Sequence, residues 1–391
     1  MLGHLARLLT RCTLLTGTAL LLACSASNAP VAIEDPFPDL PPVATVELRA
    51  AQTAAPEDLL LDIGIGVFVN EYREADSETY GEWVFSEIRD NERHYLPYLL
   101  RNTLQQSNQW GAIRVLPQQD PSVDLSLSGT VHQSDGTRLV LEVRATDSTG
   151  KIWLEKVYAD EALEADYPDS TRLRSASQLQ IEEMQEPFTD IYEQIANDLL
   201  AVRETMSSEQ VANIKLVSNL VYAADLSPET FSQMLATDDN GLLQVTNLPA
   251  ADDPMYGRVS EMRRRHHLFI DTVDEYYEAL HQEMEASYLV WRRYSYDQIE
   301  ETEAASEPAD QRLFSSGSNS LTLIQQYNRF RWSKIYQTEF LELANGFNQE
   351  IAPAILELNK SVHGLSGTMD EQYMQWRSIL RQLFALEIGD V

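Results

Sequence analysis

Two neighbouring segments leave this chain the least freedom. Between Val123 and His132, the apolar residues Val123, Leu125, Leu127 and Val131 share one face of an extended strand. Between Arg138 and Ala145 the same period of two runs through Leu139, Leu141 and Val143. Ser134-Asp135-Gly136 separates them and has the chemistry of a tight hairpin turn. A helix cannot gather a period of two onto one face, so this stretch demands a sheet with one covered side. The flanking segments supply its partners. Leu59 to Val69 is a predicted strand in which Ile63, Ile65 and Val67 alternate with small residues. Trp110 to Leu116 is another, and Ile152 to Tyr158 returns after the turn Asp147-Ser148-Thr149-Gly150. A helix over His94 to Ser107 carries Leu96, Leu99, Leu100 and Leu104, with Pro97 in its first turn. Pro187 opens another, with a stripe of Phe188, Ile191, Ile195, Leu199 and Val202. The predicted order is β-α-β-β-β-β-α, an α+β domain over residues 58–206.

Beyond it the period changes. Residues 207–253 read as a connector with two short helices, Ser207 to Ala223 and one opened by Ser227-Pro228-Glu229. Asp238-Asp239-Asn240-Gly241 is a turn that lacks the ligand spacing of a calcium loop. Residues 254–391 are expected to form an all-α helical bundle. Met255, Val259, Met262, His266, Phe269, Val273, Tyr276 and Leu280 step by four and three, and Met284, Tyr288 and Trp291 continue the stripe. That pattern predicts one helix of about 45 residues, ~70 Å long. A loop over Thr302 to Ser318, a helix over Leu321 to Ala344 and a third helix over 348–362 follow. Gly364 and Gly367 end the third. Thr368-Met369-Asp370-Glu371 is a capping box for the last helix, which carries Met369, Tyr373, Trp376, Leu380 and Leu383.

The amino terminus carries an address. Arg7 and Arg11 precede an apolar run, Thr13 to Ala23, that is too short to span a bilayer. It ends Leu21-Leu22-Ala23-Cys24, which resembles the bacterial lipobox. The resemblance implies a signal peptide over 1–23, a diacylglycerol on the Cys24 thiol, cleavage before Cys24, and acylation of the new amino terminus with a palmitate-type chain. Two or three acyl chains anchor stably where one does not. The competing expectation is an ordinary secretory signal with a chance cysteine. Ser25, the residue after Cys24, implies the outer membrane by the Gram-negative sorting rule. Residues 24–57, with Pro30, Pro36, Pro38, Pro41, Pro42 and Pro56 among Ala and Ser, read as the lipidated cysteine and an extended tether.

The strand Ile63-Gly64-Ile65-Gly66-Val67-Phe68, the helix Leu96 to Leu104, the segment Trp110 to Leu116, the run Val123 to Val131 with its Ser128-Gly129-Thr130, and Val143 to Trp153 together carry a second resemblance. This third of the chain resembles the TolB amino-terminal domain, a fold shared with CsgG-like lipoproteins and the lipoprotein activators of penicillin-binding proteins. It implies a non-catalytic envelope domain that binds other proteins.

Charge and cysteine content narrow the chemistry. The chain holds 29 Lys and Arg against 61 Asp and Glu, a net charge of −32. Removal of residues 1–23 takes away Arg7 and Arg11 and no acid, so the mature chain stands at −34. Such a balance excludes a module that binds nucleic-acid phosphates. Of the two cysteines, Cys12 leaves with the signal and Cys24 becomes the anchor, so no intramolecular disulfide or nucleophilic cysteine remains. Glu278 and His281 have the spacing of a di-iron helix, but no second copy follows; a solvated helix pair is expected, with no metal and no cofactor. No nucleophile elbow, zinc-protease helix or phosphate loop is present in the sequence, and no catalytic residue is assigned.

Two features are candidate partner contacts. Arg263-Arg264-Arg265-His266-His267 is the one concentrated basic run, suited to an acidic partner, a lipid phosphate or a glycan carboxylate, or to pairing with acids on neighbouring helices. Tyr72, Tyr80, Trp83 and Phe85 lie in a long acidic loop, where aromatics have less core to fill. The bundle aromatics Tyr276, Tyr277, Trp291, Tyr294, Tyr296, Tyr327, Trp332 and Tyr336 are at helical spacing and expected to be core. The whole reads as a lipid-anchored accessory, regulatory or assembly subunit of an envelope complex, with a protein partner and a possible homo-oligomer. The alternatives are a periplasmic enzyme on cell-wall or glycan substrates, and a structural part of a secretion or motility complex.

Overall fold

The computed structural model describes residues 37, 39–53, 55–71, 86–167, 186–250, 253–306, 331, 338, 355–358 and 361–388. A mixed sheet with its helices forms the amino-terminal part, and a mostly helical region follows. The sheet holds β1 (Ile63–Gly66), β2 (Val69–Asn70), β3 (Ile113–Leu116), β4 (Leu125–Ser134), β5 (Arg138–Asp147) and β6 (Ile152–Glu161). Its order is β3-β1-β4-β5-β6, and the short β2 pairs with β4. β1 runs parallel to both β3 and β4, while β4, β5 and β6 form an antiparallel meander. The register sets Ile65 beside Val115 and Leu127, and Val131 beside Leu141. The alternation therefore lands as expected, with Leu125, Leu127 and Val131 of β4 buried.

Helix α1 (Ser86–Ser107) starts earlier than its stripe implies, so Pro97 lies in its interior rather than in its first turn. Proline has no N–H for the carbonyl four residues back. That carbonyl, Arg93 O, accepts the N–H of Phe68 at 3.0 Å instead, which ties α1 to the chain leaving β1. Helices α2 (Thr189–Glu204) and α3 (Ser208–Leu226) follow. Ser207 and Gln210 cap α3 reciprocally, at 3.3 and 2.9 Å. After the short α4 (Pro228–Phe231), the connector holds a hairpin that periodicity did not reveal, β7 (Leu235–Thr237) with β8 (Leu243–Val245). The Asp238–Gly241 turn closes it, Asp238 Oδ1 accepting from the N–H groups of Asn240 and Leu242 at 2.8 Å each.

Helix α5 (Pro254–Ser306) has 53 residues, about 80 Å at 1.5 Å per residue. It continues through residues 302–306, where a loop was expected. The helix expected over 348–362 is replaced by strands β9 (Ile355–Leu358) and β10 (Ser361–Gly364), paired antiparallel with Leu358 opposite Ser361. Only two residues join them, a length that selects a hairpin. The last helix, α6 (Met369–Ile388), opens on the expected box: Thr368 N–H donates to Glu371 at 2.9 Å, and Glu371 N–H to Thr368 Oγ1 at 3.3 Å. The helix expected over Leu321 to Ala344 falls outside the described residues except at positions 331 and 338, and Tyr327, Trp332 and Tyr336 lie outside them altogether.

Two apolar clusters organise the body, and α5 belongs to both. Its first half packs with α3 and α6 through Val259, Met262, Phe269, Val273, Trp376 and Phe384. Its second half brings Met284, Tyr288, Trp291 and Tyr294 to α1, α2 and the sheet. The stripe drifts, so Tyr277 is buried and Tyr276 half-buried. His281 is also buried rather than solvated: its ring stacks on Tyr95 with centroids 4.5 Å apart, and burial pushes its pKa down to about 4. Residues 39–53, tether by composition, lie along the body. Val43 N–H donates to Ala159 O at 2.8 Å, Val46 N–H to Asp190 at 2.9 Å and Ala51 N–H to Ser107 O at 2.8 Å.

The second half of α5 is held by one buried charge. Arg292 and Glu92 are both 0% exposed, with Nη2 and Oε1 3.3 Å apart. Tyr288 and Ser134 hydroxyls donate to the same Glu92 oxygen at 2.8 Å, and Arg292 donates to Tyr288 at 2.7 Å and to Asp135 O. The helix backbone presses on the β4–β5 turn here. A Cβ on Gly136 would collide with the Tyr296 backbone nitrogen and the Arg292 carbonyl. Replacing Gly136 by Ala is expected to cost about 1–3 kcal/mol by overpacking, and Arg292→Met about 3–5 kcal/mol by stranding Glu92, both measured by urea unfolding. Two further carboxyls set the pH dependence. Burial pushes Glu186 up to about 7 against the pull of Arg292, and burial, with Asp190 and Asp166 nearby, pushes Asp160 up to about 7. The folded state thus holds protons that the unfolded chain releases near 4.5 and 3.8. Stability is expected to fall as pH rises through that window toward 7, and to fall less in the Glu186→Gln, Asp160→Asn double variant.

Candidate functional site

The basic run singled out in the sequence lies on the first third of α5, and the helix sends its members to different tasks. Arg263 and His267, one turn apart, face α3 and the loop that enters β4. Arg263 donates to Ser122 O at 2.5 Å, to Ser218 Oγ at 2.9 Å and to Asn219 Oδ1. The His267 ring meets Ser122 O at 3.3 Å through Nε2. Arg264 points outward and pairs with Glu261 at 2.8 Å. Arg265 pairs with Glu261 at 3.1 Å and lies 3.9 Å from Glu387 on α6. Tyr72, Tyr80, Trp83 and Phe85 fall outside the described residues.

His266 points into the core, between α3 and α6. Trp376 Nε1–H reaches its Nδ1 at 3.2 Å, and its Nε2 meets Asp120 Oδ2 at 2.7 Å. An indole can only donate, so Nδ1 offers a lone pair and the ring proton sits on Nε2, directed at Asp120. The Tyr373 hydroxyl donates to the same Asp120 oxygen, and Ser122 N–H donates to its other oxygen at 2.6 Å. Burial opposes ionisation of Asp120, yet the His266 ring and these donors hold its pKa well below the usual carboxylate range. The knot locks α5 and α6 onto the Asp120–Ser122 loop, and that loop's Ser122 carbonyl receives Arg263 and His267. A buried cluster thereby sets the position of the groups around it.

Those groups border a cavity of about 320 Å³. Asp62 and Asp124 contribute from the residues leading into β1 and β4, Lys215 and Asn219 from one face of α3, and Ser260, Arg263, Arg264 and His267 from one face of α5. Asp62 N–H donates to Asp124 Oδ2 at 3.0 Å, and Asp62 Oδ1 accepts from Ala112 N–H at 2.9 Å. Asp124 is 2% exposed and its Oδ1 has no hydrogen-bond partner; Arg263 Nη2 is 3.7 Å from it. Burial raises the Asp124 pKa, opposed by the Asp62 N–H and by Arg263. Burial, then Arg114 and Arg263, pushes His267 down to about 4, so its ring is neutral at pH 7. Lys215 Nζ donates to Leu60 O at 2.7 Å and Glu57 O at 3.1 Å, and pairs with no carboxylate among the described residues. Ser260 donates to Tyr256 O of its own helix at 3.2 Å. Among the described residues, no three His, Cys, Asp or Glu side chains are placed to hold a metal ion.

Sequence pattern alone pointed to Arg263 and Arg264 but not to Asp62, Asp124 or Lys215. The two aspartates carry a faint signal, Asp62 standing directly before the alternation that starts at Ile63 and Asp124 between Val123 and Leu125. Lys215 carries none.

No family model matches the chain, and no curated protein does. Solved structures distantly similar to the chain, over about 40% of it or less, include the following two. One is a dodecamer of a single-substitution variant of PelC from Paraburkholderia phytofirmans, 14% identical, covering 39% of this chain and 92% of that one, with a TM-score of 0.21. The other is the hypothetical protein CT253 from Chlamydia trachomatis, 7% identical, covering 36% and 94%, with a TM-score of 0.23.

The knot makes its own test. Trp376→Phe keeps most of the ring and removes the donor to His266, with an expected loss of about 1–3 kcal/mol in urea unfolding. Because the folded-state pKa of Asp120 is depressed, its contribution is present above 3.8 and lost as pH falls below it. Asp120→Asn is expected to lower stability at pH 7 and to shrink the loss on acidification.

Proposed function

We propose that this chain is a lipid-anchored protein of the bacterial outer membrane that acts by docking, as an accessory, regulatory or assembly subunit of an envelope complex, rather than by catalysis. The observation that carries the proposal is Leu21-Leu22-Ala23-Cys24, set behind Arg7, Arg11 and a short apolar run. No helix among the described residues is long and apolar enough to cross a membrane, so attachment through Cys24 does not compete with a described span. The resemblance of the sheet domain to TolB-like envelope domains points the same way.

The docked segment adjusts the mechanism. With Phe37 held by Arg138 and residues 39–53 fastened to β6, α2 and the end of α1, only residues 25–36 separate Cys24 from the body. Twelve residues span at most ~40 Å even when fully extended, against ~110 Å for the whole 25–57 stretch. The anchor would thus hold the body close to the bilayer and raise its effective concentration at a membrane-bound partner. The large negative charge favours protein partners over anionic lipid.

Mass spectrometry of the purified protein is expected to find an amino-terminal peptide beginning at Cys24 with a diacylglyceryl group and a further acyl chain. Cys24→Ala is expected to abolish labelling by an alkyne fatty acid. A wild-type protein with an unmodified terminus would overturn the anchor. In-cell crosslinking is expected to capture a defined envelope protein on the lipidated form. Turnover of cell-wall glycan or stem peptide by the purified protein would overturn the docking role in favour of an enzyme.

A further inference from the structure

The residues bordering the cavity described above are all polar or charged. Its charges are also sorted. The two carboxylates, Asp62 and Asp124, stand at the strand ends, and the cations Lys215, Arg263 and Arg264 stand on α3 and α5. Arg263 is consumed by Ser122, Ser218 and Asn219. Lys215 is bonded only to carbonyls, so its charge is not cancelled by a carboxylate among the described residues. Asp62 accepts the Ala112 N–H and pairs with no cation among the described residues, while Asp124 is buried and lies 3.7 Å from Arg263. One uncancelled positive group, Lys215, and one uncancelled carboxylate, Asp62, thus border the same space.

A simple anion entering it would meet Lys215 but also Asp62. A simple cation would meet Asp62 but also Lys215. A ligand carrying both charges avoids either conflict. We propose that this cavity is a binding site for a small zwitterion, an amino acid or the free end of a short peptide, with its ammonium toward Asp62 and its carboxylate toward Lys215. His267, donating through Nε2 to Ser122 O, presents Nδ1 as an acceptor for a further ligand N–H. The volume of about 320 Å³ is roughly ten water volumes at ~30 Å³ each, which accommodates a dipeptide. The site does not depend on the lipid anchor or on a protein partner.

The test is calorimetric titration of the full mature lipoprotein in detergent with alanylalanine, its N-acetyl form, its carboxamide form and inorganic phosphate. Alanylalanine is expected to bind, and blocking either end to weaken binding roughly tenfold or more, as loss of a charge-assisted hydrogen bond does. Lys215→Met and Asp62→Asn are expected to reproduce the two losses separately, the first abolishing discrimination against the carboxamide and the second against the N-acetyl form. The blocked probes act on the wild-type protein, so the test survives a variant that fails to fold. Equal binding of the blocked and free dipeptides, binding of phosphate at least as tight, or no heat from alanylalanine at millimolar concentration would each overturn the proposal.

Discussion

The body of this protein depends on how one very long helix is held against a sheet. Arg292 sits at that junction, wholly buried, between Glu92 of α1, the Asp135 carbonyl of the β4–β5 turn and the rings of Phe188, Tyr288 and Trp291. Placing a guanidinium in such a site is costly unless its donors are met and its charge is paired. Here the charge is paired with Glu92, and Nε and Nη1 donate to Tyr288 and to the Asp135 carbonyl, while Nη2 makes no hydrogen bond; these directional contacts join α1, α5 and the β4–β5 turn and fix their relative position in a way that apolar contacts alone do not. The same helix, several turns earlier, supplies His266 to a second buried polar knot. One helix is therefore clamped twice, once to the sheet layer and once to α6, and the polar cavity opens beside the second clamp.

The two clamps divide the chemistry of α5 cleanly. Apolar residues at helical spacing bury its length, which is non-directional and tolerates sliding. The charged and ring groups are directional, and they set the rotation and register. This is why Arg263 and His267 come to face the strand ends while Arg264 and Arg265 turn to Glu261. A run of five consecutive basic residues looks like one patch in the sequence; a helix turns each successive side chain by about 100° and distributes them.

Much of the architecture was legible beforehand. The alternation in β4 and β5, the turns at Ser134–Gly136 and Asp147–Gly150, the helix start near Ser207, the cap at Thr368 and the stripe of α5 all express local rules, and each is found where those rules put it. The misses also have local explanations. The hairpins β7–β8 and β9–β10 have strands of only three or four residues, too short to show a period. His281 looked solvated because a helix face reveals its neighbours only once Tyr95 is stacked on it. The aspartates of the cavity were hidden among 61 acids, where no spacing distinguishes them.

By itself the sequence determined the sheet meander, the long helix and the confinement of both cysteines to the first 24 residues, because each is written in contiguous residues and obeys short-range physics. Tertiary structure alone decided which charges would be buried in pairs, that Pro97 would free the Arg93 carbonyl for Phe68, that residues 39–53 would lie against β6 and α2, and that Asp62, Asp124, Lys215 and the start of α5 would border one open space. Those outcomes join residues scores of positions apart, and their energies depend on burial and direction, which no local pattern specifies.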